Sequence, residues 1–212
     1  MDMLKWLGIG FSIAVMAIFV VFLVVTRIEN AQYAANQHRQ EQQATADDKA
    51  AKTAVVVFSR SGNTGILANH IANKTNADIY EITAHAYQLG VPGLINALKD
   101  ARGNVAEIIP GRVDLSSYDT VYLGSPIWLY SPAPPIWQFA QDNDFSGKHV
   151  VLFNSFNSKF EQHFINDFEA LVRSNGAVSF RHQYVKRGRM GSQLSTEEMI
   201  TAFEQQRPQR TD

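Results

Sequence analysis

No cysteine occurs among the 212 residues. Disulfide scaffolds, thiolate metal sites and cysteine nucleophiles are thereby excluded, and the redox compartment is left unread. Charge of one sign is also lacking: the formal net charge is -1, which gives no case for nucleic acid as a partner. His38, His70, His85, His149, His163 and His182 form no i,i+4 pair and no carboxylate-rich spacing, so no metal site is read from them. Three nucleotide or nucleophile motifs are absent as well. There is no Gly-Lys-Ser/Thr phosphate loop, no Gly-x-Gly-x-x-Gly fingerprint, and no Gly-x-Ser-x-Gly elbow that would make Ser59 or Ser61 a hydrolase nucleophile. What remains is 45% hydrophobic and 18% charged, enough for one globular domain of ordinary size plus an extension, with no internal repeat.

The extension is amino-terminal. From Leu7 to Val25 the chain carries no charge and one hydroxyl, long enough to cross the hydrocarbon of a bilayer at about 1.5 Å per residue. A cleaved signal peptide is the competing reading. Lys5 supplies its charged start, but the apolar run exceeds a usual h-region and Thr26-Arg27-Ile28-Glu29 follows directly. The run is expected to span the membrane once, and Arg27, Arg39, Lys49 and Lys52 outnumber Lys5, a bias that leans towards a single-pass membrane protein with its carboxyl-terminal domain on the cytoplasmic face. Residues 29–52 are rich in Gln and Ala with almost no bulky apolar residue. They read as a solvated stalk, partly helical or disordered, between an anchor at 1–28 and a domain at 53–205, with a tail at 206–212.

Beyond the stalk, strand and helix patterns alternate. Apolar, β-branched runs predict strands over 54–58, 77–82, 120–124, 149–154 and 177–185. Helices are expected over 63–74, from about 94 to 103, and over 136–142, 160–175 and 196–204, with Pro134-Pro135 starting one, Gly176 stopping another, and Ser195 or Thr196 with Glu198 capping the last. Five strands alternating with helices imply an α/β fold with a parallel sheet and right-handed crossovers.

Two loops carry the chemistry. Ser59-Arg60-Ser61-Gly62-Asn63-Thr64 follows the first strand and opens the first helix. Amides at a helix N-terminus, with Ser and Thr hydroxyls beside them, suit a phosphate monoester; an ordinary strand-to-helix turn with a side-chain cap is the alternative. After the third strand, Gly124-Ser125-Pro126-Ile127-Trp128-Leu129-Tyr130-Ser131-Pro132 is a proline-stiffened loop bearing two aromatics, either a platform for a flat ring or a cap on the sheet edge.

These residues resemble the flavodoxin family. Ser-x-Ser-Gly-Asn-Thr is similar to its FMN-phosphate loop, and Tyr118-Asp119 through Gly124-x-Pro126-x-Trp128 is similar to the loop that covers the isoalloxazine in one subfamily. The resemblance covers about residues 53–205. It implies a flavodoxin-like three-layer fold with a five-stranded sheet in the order 2-1-3-4-5, which sets the loops after strands one and three side by side at the switch point. It also implies FMN as cofactor, with Ser59, Arg60, Ser61, Gly62, Asn63 and Thr64 at the phosphate, Pro126, Ile127, Trp128, Leu129 and Tyr130 along the ring, and Ser155 and Phe156 closing the site. The third loop departs from the family pattern, since Asn154-Ser155-Phe156-Asn157-Ser158-Lys159 lacks its glycines. Phe156 stacks on the flavin or packs as core, and Lys159 is a solvated lysine or meets the anionic edge of the ring.

The function implied is membrane-anchored, FMN-dependent electron transfer, with a redox partner protein or a quinone. Two alternatives stand beside it: an NAD(P)H-dependent quinone reductase-type oxidoreductase of the same superfamily, and a flavin-less membrane-tethered docking domain. In many electron-carrying flavodoxins a Gly peptide flips to serve reduced N5. Ile127 to Tyr130 contain no Gly and are expected to resist positive φ, which favours two-electron chemistry. Arg181, Lys186, Arg187 and Arg189 form a basic cluster at the end of the last strand, a solvated strand end or a contact for anionic lipid or an NADPH phosphate.

Overall fold

The computed structural model describes residues 2–43, 51–189, 191–206 and 209–210. Residues 44–50 of the expected stalk and most of the expected tail lie outside them.

Period-2 alternation in β1 (Thr53–Phe58) divides its side chains between two helical layers. Val55 and Val57 cluster with Ile66 and Leu67 of α2 (Asn63–Thr75) and with Met199 and Phe203 of α6 (Thr196–Gln205). Ala54, Val56 and Phe58 cluster on the opposite face with Ile136 and Phe139 of α4 (Pro134–Asp142) and with Ile165 and Phe168 of α5 (Gln162–Ser174). A strand buried on both faces has no polar side to show. This is why the segment reads as a continuous apolar run.

The sheet follows from that sandwich. β2 (Asp78–Ile82), β1, β3 (Thr120–Trp128), β5 (His149–Phe156) and β6 (Ser179–Lys186) pair in parallel in that spatial order, which is 2-1-3-4-5 when the parallel strands are counted along the chain. Two short strands extend the expectation. β4 (Ser131–Pro132) folds back antiparallel on β3, and β7 (Gln209–Arg210) pairs antiparallel with β6 at the edge. α3 (Val91–Asp100) starts on Pro92 after Gly90. Ser195 and Glu198 form a reciprocal capping box at the start of α6, with Glu198 N–H donating to Ser195 Oγ at 3.2 Å.

Two expectations need correction. The third strand does not end at Gly124; it runs to Trp128, and the aromatic loop is a hairpin with Trp128 opposite Ser131. Pairing of β3 with β1 stops at Val57↔Gly124, so the missing N–H of Pro126 breaks no bond to β1, and beyond that point β3 pairs with β4 and its Pro126 carbonyl accepts from Ala133 N–H at 3.0 Å. The expected solvated stalk is helical over its first part, and it is not solvated throughout. A single helix, α1 (Asp2–Gln43), runs from the apolar run into the polar segment, and Asn36 is buried against the domain. The apolar part is solvent-exposed along its length, with Trp6, Phe11, Met16 and Phe19 all open, and among the described residues this is the one helix long and apolar enough to cross a membrane.

Candidate functional site

The carboxyl ends of β1, β3 and β5 bring the three loops of interest together. In the first loop, Gly62 occupies the N-cap of α2 at φ 85°, a left-handed conformation that glycine adopts without strain, and no side chain caps the helix. The first bond across the turn is Ile66 N–H to Gly62 carbonyl at 3.0 Å, so the amides ahead of it have no partner within the helix. That separates the two readings of this stretch. An ordinary capped turn spends a hydroxyl on the first amides, whereas here the hydroxyls are placed elsewhere. Thr64 Oγ1 lies 2.8 Å from Ser155 Oγ, both nearly inaccessible, and Ser61 Oγ accepts from Asn63 Nδ2 at 3.0 Å. Thr64 and Ser155 thus tie the first loop to the third. Amides, hydroxyls and a helix dipole are the donor set that a phosphate monoester calls for.

Arg60 departs from its expected role at the level of its side chain. It is 7% exposed, its Nε donates to the Tyr87 carbonyl at 3.0 Å, its Nη2 reaches the carbonyls of Gln88 and Gly90, and its Nη1 pairs with Glu29 of α1. A guanidinium with its donors committed in this way is a strut between the loop, residues 87–90 and α1. Tyr87 in turn donates to Asp100, and burial with that carboxylate beside it pushes the phenol up to about 12.

The aromatic hairpin overturns the argument from missing glycines. Leu129 and Tyr130 already sit at φ 40° and 82°, the positive φ at both central residues with which one of the two favoured two-residue hairpin turns, type I′, matches the strand twist between Trp128 and Ser131. For bulky residues this stores strain of order 1–3 kcal/mol each, and the surroundings hold it. Glu161 N–H donates to the Tyr130 carbonyl at 3.0 Å, and Arg102 Nε to the Leu129 carbonyl at 3.2 Å. Two cations attend the Tyr130 ring: Lys159 Nζ at 4.8 Å and the Arg102 guanidinium at 5.5 Å from its centroid. Trp128 meets Phe58 and Tyr87 edge to face, at 5.5 and 5.3 Å between centroids.

In the third loop Phe156 is core. It is 7% exposed and packs on Phe160 and Tyr184, with ring centroids 5.6 and 5.5 Å away. Behind it lies a buried polar chain that the sequence reading missed. Asn154, fully buried, donates through Nδ2 to the Ser125 carbonyl at 2.8 Å. Its Oδ1 is 2.9 Å from His182 Nε2, which assigns the proton of the imidazole to Nε2. The Ser125 hydroxyl faces the Ala133 amide at 3.3 Å. The chain thereby fixes the peptide that leads into Pro126. Only the register Ser125↔Asn154↔Tyr184 brings β3, β5 and β6 to the point where these side chains meet, so no local pattern announces them.

Two clefts open beside this core. One of about 340 Å³ lies between Phe58, Ser59, Arg60, Thr83, Tyr87 and Tyr33 of α1. The other, about 540 Å³, is bounded by Tyr130, Asn157, Lys159, Lys186 and Arg189, and no carboxylate lines it. Both fall in the size range of small-molecule sites, roughly 300–1,000 Å³.

A flavodoxin family model matches residues 95–199, a span that holds the second and third loops but not the first. Solved structures with the same fold include a flavoprotein of Lactobacillus acidophilus NCFM in complex with FMN, at 21% identity and a TM-score of 0.51 over 63% of this chain and 93% of that one. A candidate flavoprotein of Bacteroides uniformis ATCC 8492 aligns at 21% identity and a TM-score of 0.51, over 74% of this chain and all of that one. No curated protein matches the sequence. The sheet order, the loops gathered at its carboxyl edge and the partial family match together show a flavodoxin-like fold with a long apolar helix ahead of the domain.

Proposed function

We propose that this chain is a membrane-anchored FMN protein that carries electrons. The observation that carries the reading is the start of α2, where Gly62 takes the N-cap and no side chain caps the helix, while the Ser61 and Thr64 hydroxyls in the same loop are held by Asn63 and Ser155. The flavoprotein of L. acidophilus that shares the fold holds FMN, which agrees with that donor set. Ser59, Ser61, Gly62, Asn63 and Thr64 hold the phosphate, and the backbone of Arg60 belongs to the same loop while its side chain braces it. Pro126, Ile127, Trp128, Leu129 and Tyr130 form the wall on which a flat ring rests, held rigid by the Glu161 and Arg102 bonds to the turn. Ser155 orients Thr64, and Phe156 supports the loop from within the core.

FMN supplies the redox chemistry when bound, and the protein supplies position and electrostatics. Lys159, Arg102, Lys186 and Arg189 give the second cleft a positive potential, which favours an anionic partner or product beside the ring wall. The run Leu7–Val25 anchors the protein, and the Lys/Arg asymmetry across it supports a cytoplasmic domain.

The test is a flavin titration of the detergent-solubilised full-length protein. FMN is expected to bind with a perturbed visible spectrum, and Ser61→Ala with Thr64→Val is expected to weaken it by roughly 1.5–3 kcal/mol for each charge-assisted bond lost. A protein that takes up no FMN, or a double variant with unchanged affinity, refutes the assignment.

A further inference from the structure

We infer that the membrane-proximal helix is part of the phosphate site: Asn36, supported by Gln32 and Glu29, is a positioning residue that orients the Gly62 amide towards a phosphate. The inference rests on the FMN reading above. It starts from peptide geometry. The Ser61 carbonyl and the Gly62 N–H belong to one trans peptide unit, so they point in opposite directions. Asn36 Nδ2 donates to the Ser61 carbonyl at 2.9 Å, and this bond draws the carbonyl to the α1 side and turns the Gly62 N–H away from α1. The same amide nitrogen lies 3.2 Å from Asn63 Oδ1, while Asn63 Nδ2 reaches Gln32 Oε1 at 3.4 Å and Ser61 Oγ at 3.0 Å. The side chains of Ser61 and Asn63 are therefore aligned with help from outside the loop.

Close approach has a second signature. A Cβ added to Gly62 falls 2.6 Å from Asn36 Cβ, so α1 comes nearer to the loop here than any residue but glycine allows. Asn36 itself is 4% exposed, although it lies in a segment whose composition is that of a solvated helix. One turn or two towards the apolar run, Glu29 pairs with Arg60, whose remaining donors are spent on the 87–90 carbonyls. The loop is thus clamped at both ends, at Arg60 and at Ser61–Asn63, by one face of α1. By linkage, a ligand that needs the clamped loop also holds α1 against the domain.

The experiment compares FMN with riboflavin, which has the same ring and no phosphate, on the full-length protein in detergent. Asn36→Ala and the double variant Gln32→Ala/Asn36→Ala are expected to raise the FMN dissociation constant about tenfold and to leave riboflavin binding unchanged. In the flavin-free double variant, amide exchange at residues 61–64 is expected to accelerate while β5 residues 150–154 stay protected. Unchanged FMN affinity in the double variant, with wild type binding FMN normally, overturns the inference and leaves the flavin assignment standing. Equal weakening of both flavins also overturns it, because a phosphate-directed role cannot affect riboflavin. A wild-type chain that binds neither flavin removes both readings at once.

Discussion

Acid should weaken this fold through one buried imidazole. His182 is 2% exposed on β6, bonded to Asn154 through Nε2 and enclosed by the rings of Phe160 and Tyr184 at 5.0 and 5.2 Å. Burial pushes it down to about 4 from an ordinary 6.5. A base with a depressed native pKa is neutral in the fold, and the unfolded chain takes up the proton first. Stability is therefore flat above about pH 6.5 and falls as pH drops from there towards 4. At about 1.4 kcal/mol per pH unit the whole interval costs about 3 kcal/mol, of which about 2 kcal/mol is lost by pH 5. For a domain of this size that is a fall of about 4–8 °C in Tm. Urea unfolding of the full-length protein, followed by near-UV circular dichroism at pH 7 and pH 5, measures it. His182→Gln keeps a donor for Asn154 and removes the titration. The acid loss in that variant should then be smaller than in wild type by about 2 kcal/mol, since the carboxylates contribute equally to both. Equal acid slopes in the two proteins would show that the imidazole is not the group responsible.

Two other substitutions probe the scaffold around the loops. Gly124→Ala places a Cβ 2.1 Å from Phe153 Cζ, an inaccessible ring with Phe203 beyond it, so a loss of about 2–3 kcal/mol is expected in chemical denaturation; a midpoint equal to wild type would mean the sheet relaxes freely there. Thr64→Val and Ser155→Ala should each cost about 1–2 kcal/mol in the flavin-free protein, and the double variant should fall short of their sum by about 1 kcal/mol, the coupling of the buried pair at 2.8 Å. Strict additivity in that cycle would deny the bridge between the first and third loops.

Elements with a strong apolar period were the legible ones. Val55 to Phe58 and Val150 to Phe153 could be placed because burial on both faces leaves uninterrupted hydrophobic runs. The turn at residues 59–64 was legible for a related reason: a strand, a hydroxyl-rich turn and a helix make a local arrangement that needs no distant partner. The hairpin at Leu129-Tyr130 contradicts local preference outright, since a leucine and a tyrosine at positive φ are held by Arg102, Lys159 and Glu161 from elsewhere in the chain. A proline inside an apolar run reads as a break, and the pairing register reveals that Pro126 lies beyond the end of the β1 ladder. The fate of residues 29–43 was hidden differently. Asn36 meets partners 25 and 27 positions away and Glu29 one 31 positions away, and a contact made by polar groups leaves no hydrophobic period to find.

The unbroken course of α1 turns a tether into a ruler. A flexible stalk lets a domain tumble and sample every height and azimuth above its membrane, whereas a helix continuous from Val25 to Asn36 sets a rise of about 16 Å and a fixed rotation between the last apolar turn and the Ser61 carbonyl. With Leu7–Val25 in a bilayer, the mouth of the site faces one direction at one height over the lipid surface. Partners are then selected by where they stand as well as by their chemistry. On the proposed anchoring, a donor or acceptor embedded in the same membrane would search for this protein in two dimensions and meet it already oriented, and a soluble one would have to fit beneath or beside the domain at that level.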